Sequence, residues 1–111
     1  MDDRVKAAVS IIESEFAKPL REREVARRIG VSPSYFRHLF KTVMGVSFSR
    51  YVRQYRVARG NEMILQDPTL RSKDLSTLLG YKHVAAMDRD FKKCVGHSPR
   101  WVKKSVKSPS G

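Results

Sequence analysis

The stretch Gly30–Lys41, GVSPSYFRHLFK, decides how the chain is read. Ser32 is placed to accept a hydrogen bond from a backbone N–H of the first helical turn, as an N-cap does. Pro33 then takes the first helical position, where its missing N–H costs nothing. Beyond it Phe36, Leu39, Phe40 and Val43 recur at i, i+3, i+4, i+7 and form one apolar stripe, expected to be core. Ser34, Arg37, His38 and Lys41 recur at the same spacing on the opposite face. A charged helix face is usually just a solvated surface; this one is either that or a surface built for something acidic.

Composition favours the second. Lys and Arg number 23 against 11 Asp and Glu, a formal net charge of +12 in 111 residues, and the isoelectric point is near 10.4. Such a charge says little about fold but points to nucleic acid first and anionic membrane second. The membrane alternative is weak, because no apolar run approaches the roughly 20 residues of a spanning helix and the start shows no signal-peptide pattern. A single cysteine, Cys94, excludes an internal disulfide and a Cys-rich zinc site. A cytoplasmic chain is expected, of one compact domain or two very small ones.

Period-3.6 patterning covers nearly the whole sequence, and no alternating strand is evident. Val5, Ala8, Val9, Ile12 and Phe16 make a first stripe that ends before Pro19. REREVARRIG (Arg21–Gly30) predicts a short helix with Val25, Ala26 and Ile29 inward and Gly30 as its stop. SFSRYVRQYRVARGNEMILQD predicts a longer helix closed by Asp67-Pro68; its roughly 18 residues would span about 27 Å. SKDLSTLLG, HVAAMDRDFKKCV and SPRWVKKSV complete an all-α reading of seven helices, and the Ser/Pro/Gly-rich residues 106–111 are read as a flexible tail.

The decisive signal is an internal repeat. REREVARRIG aligns with RSKDLSTLLG (Arg71–Gly80) at an offset of 50. After one extra residue in the second turn, FRHLFKTVMG (Phe36–Gly45) aligns with MDRDFKKCVG (Met87–Gly96) at an offset of 51. Ser34, Arg37, His38 and Lys41 thereby superpose on Ala85, Asp88, Arg89 and Lys92. A helix, a Gly turn of three or four residues and a second helix with an outward polar face is the helix-turn-helix pattern. The chain contains it twice: a first subdomain over 1–46, a linker helix over 47–67 and a second subdomain over 68–105. In this motif the second helix enters the major groove and presents its early residues to base edges. Two such units in one chain would read two unlike half-sites in neighbouring major grooves, with no palindrome required.

These residues resemble the DNA-binding domain of AraC-family transcription regulators over roughly residues 5–103. The first unit carries the resemblance in EVARRIGVSPSYFRHLFKTVMGVSFSRYV, the linker in YRVARGNEMIL, and the second unit in LGY and RDFKKCVGHSP. The resemblance implies a homeodomain-like bihelical fold bound to double-stranded promoter DNA, with RNA polymerase as a further partner and no cofactor. By position, Ser34, Arg37 and His38 match base-reading positions in the first unit; Val84, Ala85, Asp88 and Arg89 match those in the second. Lys41 and Lys92 lie one turn further on, at positions suited to phosphate.

The second unit departs from the family pattern. Ser76 stands where Ala is usual between packed helices, AAM replaces Ser-Tyr-Phe, and His83 is a poor N-cap. Asp88 can accept from cytosine N4 but repels phosphate. Gly60 replaces a usual Ala in the linker helix, at a cost of about 1 kcal/mol. The second unit is therefore expected to hold DNA mainly through Arg89, Lys92 and Lys93. Of the linker arginines, Arg56 is expected in an internal ion pair and Arg50, Arg53 and Arg59 on a spiral partly facing phosphate. Trp101 is expected to plug the second unit, and Cys94 to pack. Cys94, His97 and His83 do not supply the ligand set of a metal site, and no nucleophile–base–orienter set appears, so an enzyme is not expected. Two other functions stay open: a non-specific nucleic-acid packager, and a helical module whose second unit serves a protein partner. Family members often carry a further effector-binding or dimerisation domain, so the chain is either a stand-alone short regulator, a monomer, or a fragment of a longer one.

Overall fold

The computed structural model describes residues 2–100, and among these residues there are six α-helices and no strand. The helices are α1 (Asp3–Glu15), α2 (Glu22–Arg28), α3 (Pro33–Met44), α4 (Phe48–Gln66), α5 (Ser72–Leu78) and α6 (Val84–Val95). The expected seventh helix has helical backbone only at Pro99 and Arg100 before the described residues end. Trp101 and the tail, residues 106–111, also lie outside them. The chain divides into two compact units between Val52 and Arg53, inside α4 rather than at its ends.

The first unit closes around an aromatic cluster. Phe36, Phe40 and Phe48 are fully or almost fully buried. Their ring centroids lie 5.5–5.7 Å apart, and Tyr51 adds an edge contact to Phe40 at 5.6 Å. Such tilted and edge-on pairs each contribute about 0.5–1.5 kcal/mol beyond the area they bury. Val5, Ala8 and Ile12 of α1 and Val25 and Ala26 of α2 complete this core. Val43 departs from the expected stripe: it is 38% exposed, in the last turn of α3, past the aromatic cluster that Phe36 and Phe40 join. Val9, Phe16 and Ile29 are only half-buried.

The backbone repeats the same turn in each unit. Gly30 N–H donates to Arg27 O and Val31 N–H to Ala26 O; Gly80 N–H donates to Thr77 O and Tyr81 N–H to Ser76 O. These are the same bonds displaced by 50 residues. At the ends of α3 and α6, Gly45 N–H donates to Lys41 O and Gly96 N–H to Lys92 O, displaced by 51. All four glycines take φ between 79° and 86°, a left-handed conformation that costs other L-residues strain. The first turn holds four residues between helices, as expected, and the second holds five, Leu79–His83.

The repeat extends further than the aligned motifs. Val5, Ala8 and Ile12 in α1 and Val57, Gly60 and Ile64 in α4 are buried at the same +3, +4 spacing. Gly60 therefore stands where the first unit has Ala8. A Cβ at Gly60 would lie 2.7 Å from Phe91 Cζ and 2.8 Å from Leu79 Cδ1, so the missing side chain is what lets the core of the second unit close. Ser76, only 4% exposed, is accommodated because its hydroxyl donates to Lys73 O at 2.8 Å, leaving no orphan polar atom.

The two motif helices start differently. Ser32 Oγ accepts from Tyr35 N–H at 3.2 Å, and Pro33 follows it. His83, at the matching place before α6, makes no side-chain cap bond. Replacing His83 with Ser should stabilise the second unit by about 1 kcal/mol, seen as a rise of about 4–8 °C in melting temperature by circular dichroism. An unchanged melt would mean that the start of α6 is satisfied by other means.

Candidate nucleic-acid interface

The outward face of α3 gathers the first set of expected residues. Ser34, Arg37, His38 and Lys41 are all exposed, and with Thr42 they line a surface cavity of about 540 Å³. Their spacing puts them on one side of the helix, while Phe36 and Phe40 on the other side fix it to its unit. In α6, Ala85, Asp88, Arg89 and Lys92 line a cavity of about 610 Å³ together with Lys93. Asp88 is half-buried and the other four are exposed. Val84 stands apart: it is half-buried and is not among the lining residues. It precedes Ala85 by one residue, so it is rotated about 100° around the helix from it.

Ion pairing distributes the charge. Arg28 bonds Glu15 with both terminal nitrogens, at 2.9 and 2.7 Å, which holds the Glu15 carboxyl below its usual range. Asp2 pairs with Arg4, Glu24 with Arg27, and Glu62 with Arg59. Lys41, Arg89, Lys92 and Lys93 enter none of the ion pairs among the described residues, so both faces keep positive charge where a polyanion would approach. Arg50 is exposed, and Arg53 and Arg59 are half-buried.

Within the second unit, α6 is tied to α4 by a polar network. Tyr81 Oη donates to Asp90 Oδ2 at 2.9 Å, and Arg53 Nε lies 3.4 Å from Asp90 Oδ1. Burial first, and the Asp90 bond second, push the Tyr81 phenol far above its ordinary range, so it stays a neutral donor. Arg53 thus pairs with Asp90, and the Arg56 guanidinium sits 5.4 Å over the Tyr81 ring, a cation–π contact. Cys94 is half-buried. Among the described residues no group of three or more His, Cys, Asp or Glu is placed to hold a metal ion, and no helix is long and apolar enough to cross a membrane.

One member of the site was not foreseen. Arg37 Nε donates to Glu22 Oε1 at 2.7 Å, linking the first residue of α2 to the exposed face of α3. Helical spacing cannot reveal a pair 15 residues apart on different elements; the packing of α2 against α3 creates it.

Residues 25–105 match the family model described as a helix-turn-helix domain, of the AraC type. The chain belongs to the AraC family. Members of this family are DNA-binding transcription regulators, not enzymes. Among curated relatives, the uncharacterised HTH-type transcriptional regulator YtdP of Bacillus subtilis is 37% identical over 82% of this chain. The chain spans 12% of that relative's length and 33–37% of other curated relatives it matches. The C-terminal domain of AraT, a response regulator from Geobacillus stearothermophilus, superposes with a TM-score of 0.89 at 26% identity, over 94% of this chain and 86% of that one. The DNA-binding domain of AdpA, a global transcriptional factor solved in complex with a target DNA, shares the fold. Its TM-score is 0.82 at 17% identity over all of both chains.

Proposed function

We propose that this AraC-family chain is a sequence-specific regulator of transcription that reads two adjacent major-groove segments of double-stranded promoter DNA, one with α3 and one with α6. The observation that carries this is the duplicated outward face: Ala85, Asp88, Arg89 and Lys92 occupy the positions of Ser34, Arg37, His38 and Lys41, on helices preceded by the same glycine-turn hydrogen bonds and closed by the same glycine stop. Base edges fall to Ser34, Arg37 and His38 in the first unit and to Ala85, Asp88 and Arg89, with Val84 at the helix start, in the second. Lys41 and Lys92 contact phosphate. The solved complex of the AdpA domain with its target DNA supports DNA as the partner. Recruitment of RNA polymerase, action in the cytoplasm and a monomeric state for this chain are part of the same proposal; the first of these follows from the family and not from a residue pattern.

Salt titration separates this from a non-specific packager. Lys41→Ala and Lys92→Ala should each weaken binding evenly across sequences and lower the slope of log affinity against log salt by about 0.9. Base preference should stay as it is in both. If wild-type affinity proves the same for every duplex, and only its salt slope is large, the packager is the correct reading.

A second reading holds for α6 alone. Asp88 takes the place of Arg37, and His83 leaves the helix start uncapped, so the second unit would serve a protein partner and not DNA. In that case Arg89→Ala leaves DNA affinity unchanged; under the main proposal it weakens binding.

A further inference from the structure

We infer that Glu22 is a positioning residue that sets the specificity of Arg37. The inference rests on the proposal that α3 reads base edges. Glu22 is the first residue of α2 and its side chain is only 18% exposed, whereas the Arg37 side chain is 71% exposed. The carboxylate is therefore held at the protein surface, and the arginine extends past it toward solvent. The bond is to Nε, at 2.7 Å. An arginine can meet guanine either with Nε and one terminal nitrogen or with its two terminal nitrogens. With Nε taken, only the terminal pair stays open, and it fits the O6 and N7 acceptors of guanine.

Two consequences follow from physics. A long flexible side chain held at Nε loses less rotamer freedom when it binds, so the correct base gains more from the contact. A carboxylate beside the reading face also repels phosphate, which weakens binding to every sequence alike. The first effect raises the ratio of specific to non-specific affinity; the second lowers affinity for all duplexes and leaves that ratio unchanged. The second unit lacks the device: Ser72 and Asp88 stand at the positions matching Glu22 and Arg37.

The test uses the full chain and the tightest duplex that it selects from a random pool, together with all single-base variants of that duplex and one scrambled duplex. Glu22→Ala should bind the scrambled duplex as tightly as wild type or more tightly. It should also lose about tenfold discrimination at one guanine position only. Arg37→Ala should lose discrimination at that same position, and adding Glu22→Ala to it should change the base profile no further. Glu22→Gln keeps an acceptor for Nε and should restore part of the discrimination. Thermal melts of each variant monitor the fold. An unchanged base profile in Glu22→Ala, with a changed one in Arg37→Ala, would overturn the inference and leave the reading of α3 intact. An unchanged profile in both would remove base reading by Arg37, and the role of Glu22 falls with it.

Discussion

Replacing Gly60 with Val is expected to destabilise the second unit by about 3 kcal/mol, near the upper end of the usual cost of overpacking. The new Cβ would sit 2.7 Å from Phe91 Cζ and 2.8 Å from Leu79 Cδ1, and both side chains are fully buried. Neither ring nor isobutyl group can retreat without displacing the rest of the core, and valine adds two methyl groups beyond the Cβ. Gly60→Ala provides a graded control. Alanine recovers about 1 kcal/mol of helix propensity yet still meets the clash, so a smaller net loss is expected. The valine variant should lower the melting temperature by about 12 °C or more. An unchanged or raised melting temperature would mean that α4 does not press on Leu79 and Phe91 at this point.

Arg37→Ala is expected to remove most of the preference for one base position, about 1–3 kcal/mol or roughly 5- to 150-fold. Non-specific affinity should change far less, because the other cations of the basic surface remain. Arg89→Ala should cost less in discrimination than Arg37→Ala. Arg89 has no carboxylate to orient it among the described residues, and its neighbour Asp88 opposes close approach of phosphate. Equilibrium binding to a panel of single-base variants measures both. Equal losses at every position in Arg37→Ala would mark Arg37 as a phosphate contact and place the reading of bases elsewhere.

The fold was legible because three local signals agreed. The Ser32-Pro33 start, the glycine stops and the 3.6-residue stripe all named the same helix, and the repeat then named its partner in the second half. Gly30 and Gly80, and Gly45 and Gly96, pair off in sequence as they do in hydrogen bonding. The matching stripe of α1 and α4 was not legible, since Val5–Ala8–Ile12 and Val57–Gly60–Ile64 share spacing but little identity. Gly60 looked like a defect of the linker helix when only propensity was weighed; its reason lies in Phe91 and Leu79, contacts that only tertiary packing supplies. The polar faces of α3 and α6 were legible from periodicity, which sets direction around a helix. Their ties to other elements were not. Glu22 meets Arg37, and Arg53 meets Asp90, because side-chain reach between helices depends on their packing angle. Val43 was misplaced for a simpler reason: a stripe predicts which way a residue points, and not whether anything covers it at the helix end.

Selection of duplexes from a random pool at about 150 mM salt, followed by footprinting of the winners, tests the central claim most directly. Salt near this level suppresses purely electrostatic binding. The account predicts two unlike preferred blocks about one helical turn apart, roughly 10 base pairs, both protected by a single chain. Recovery of a pool with no sequence preference would contradict it.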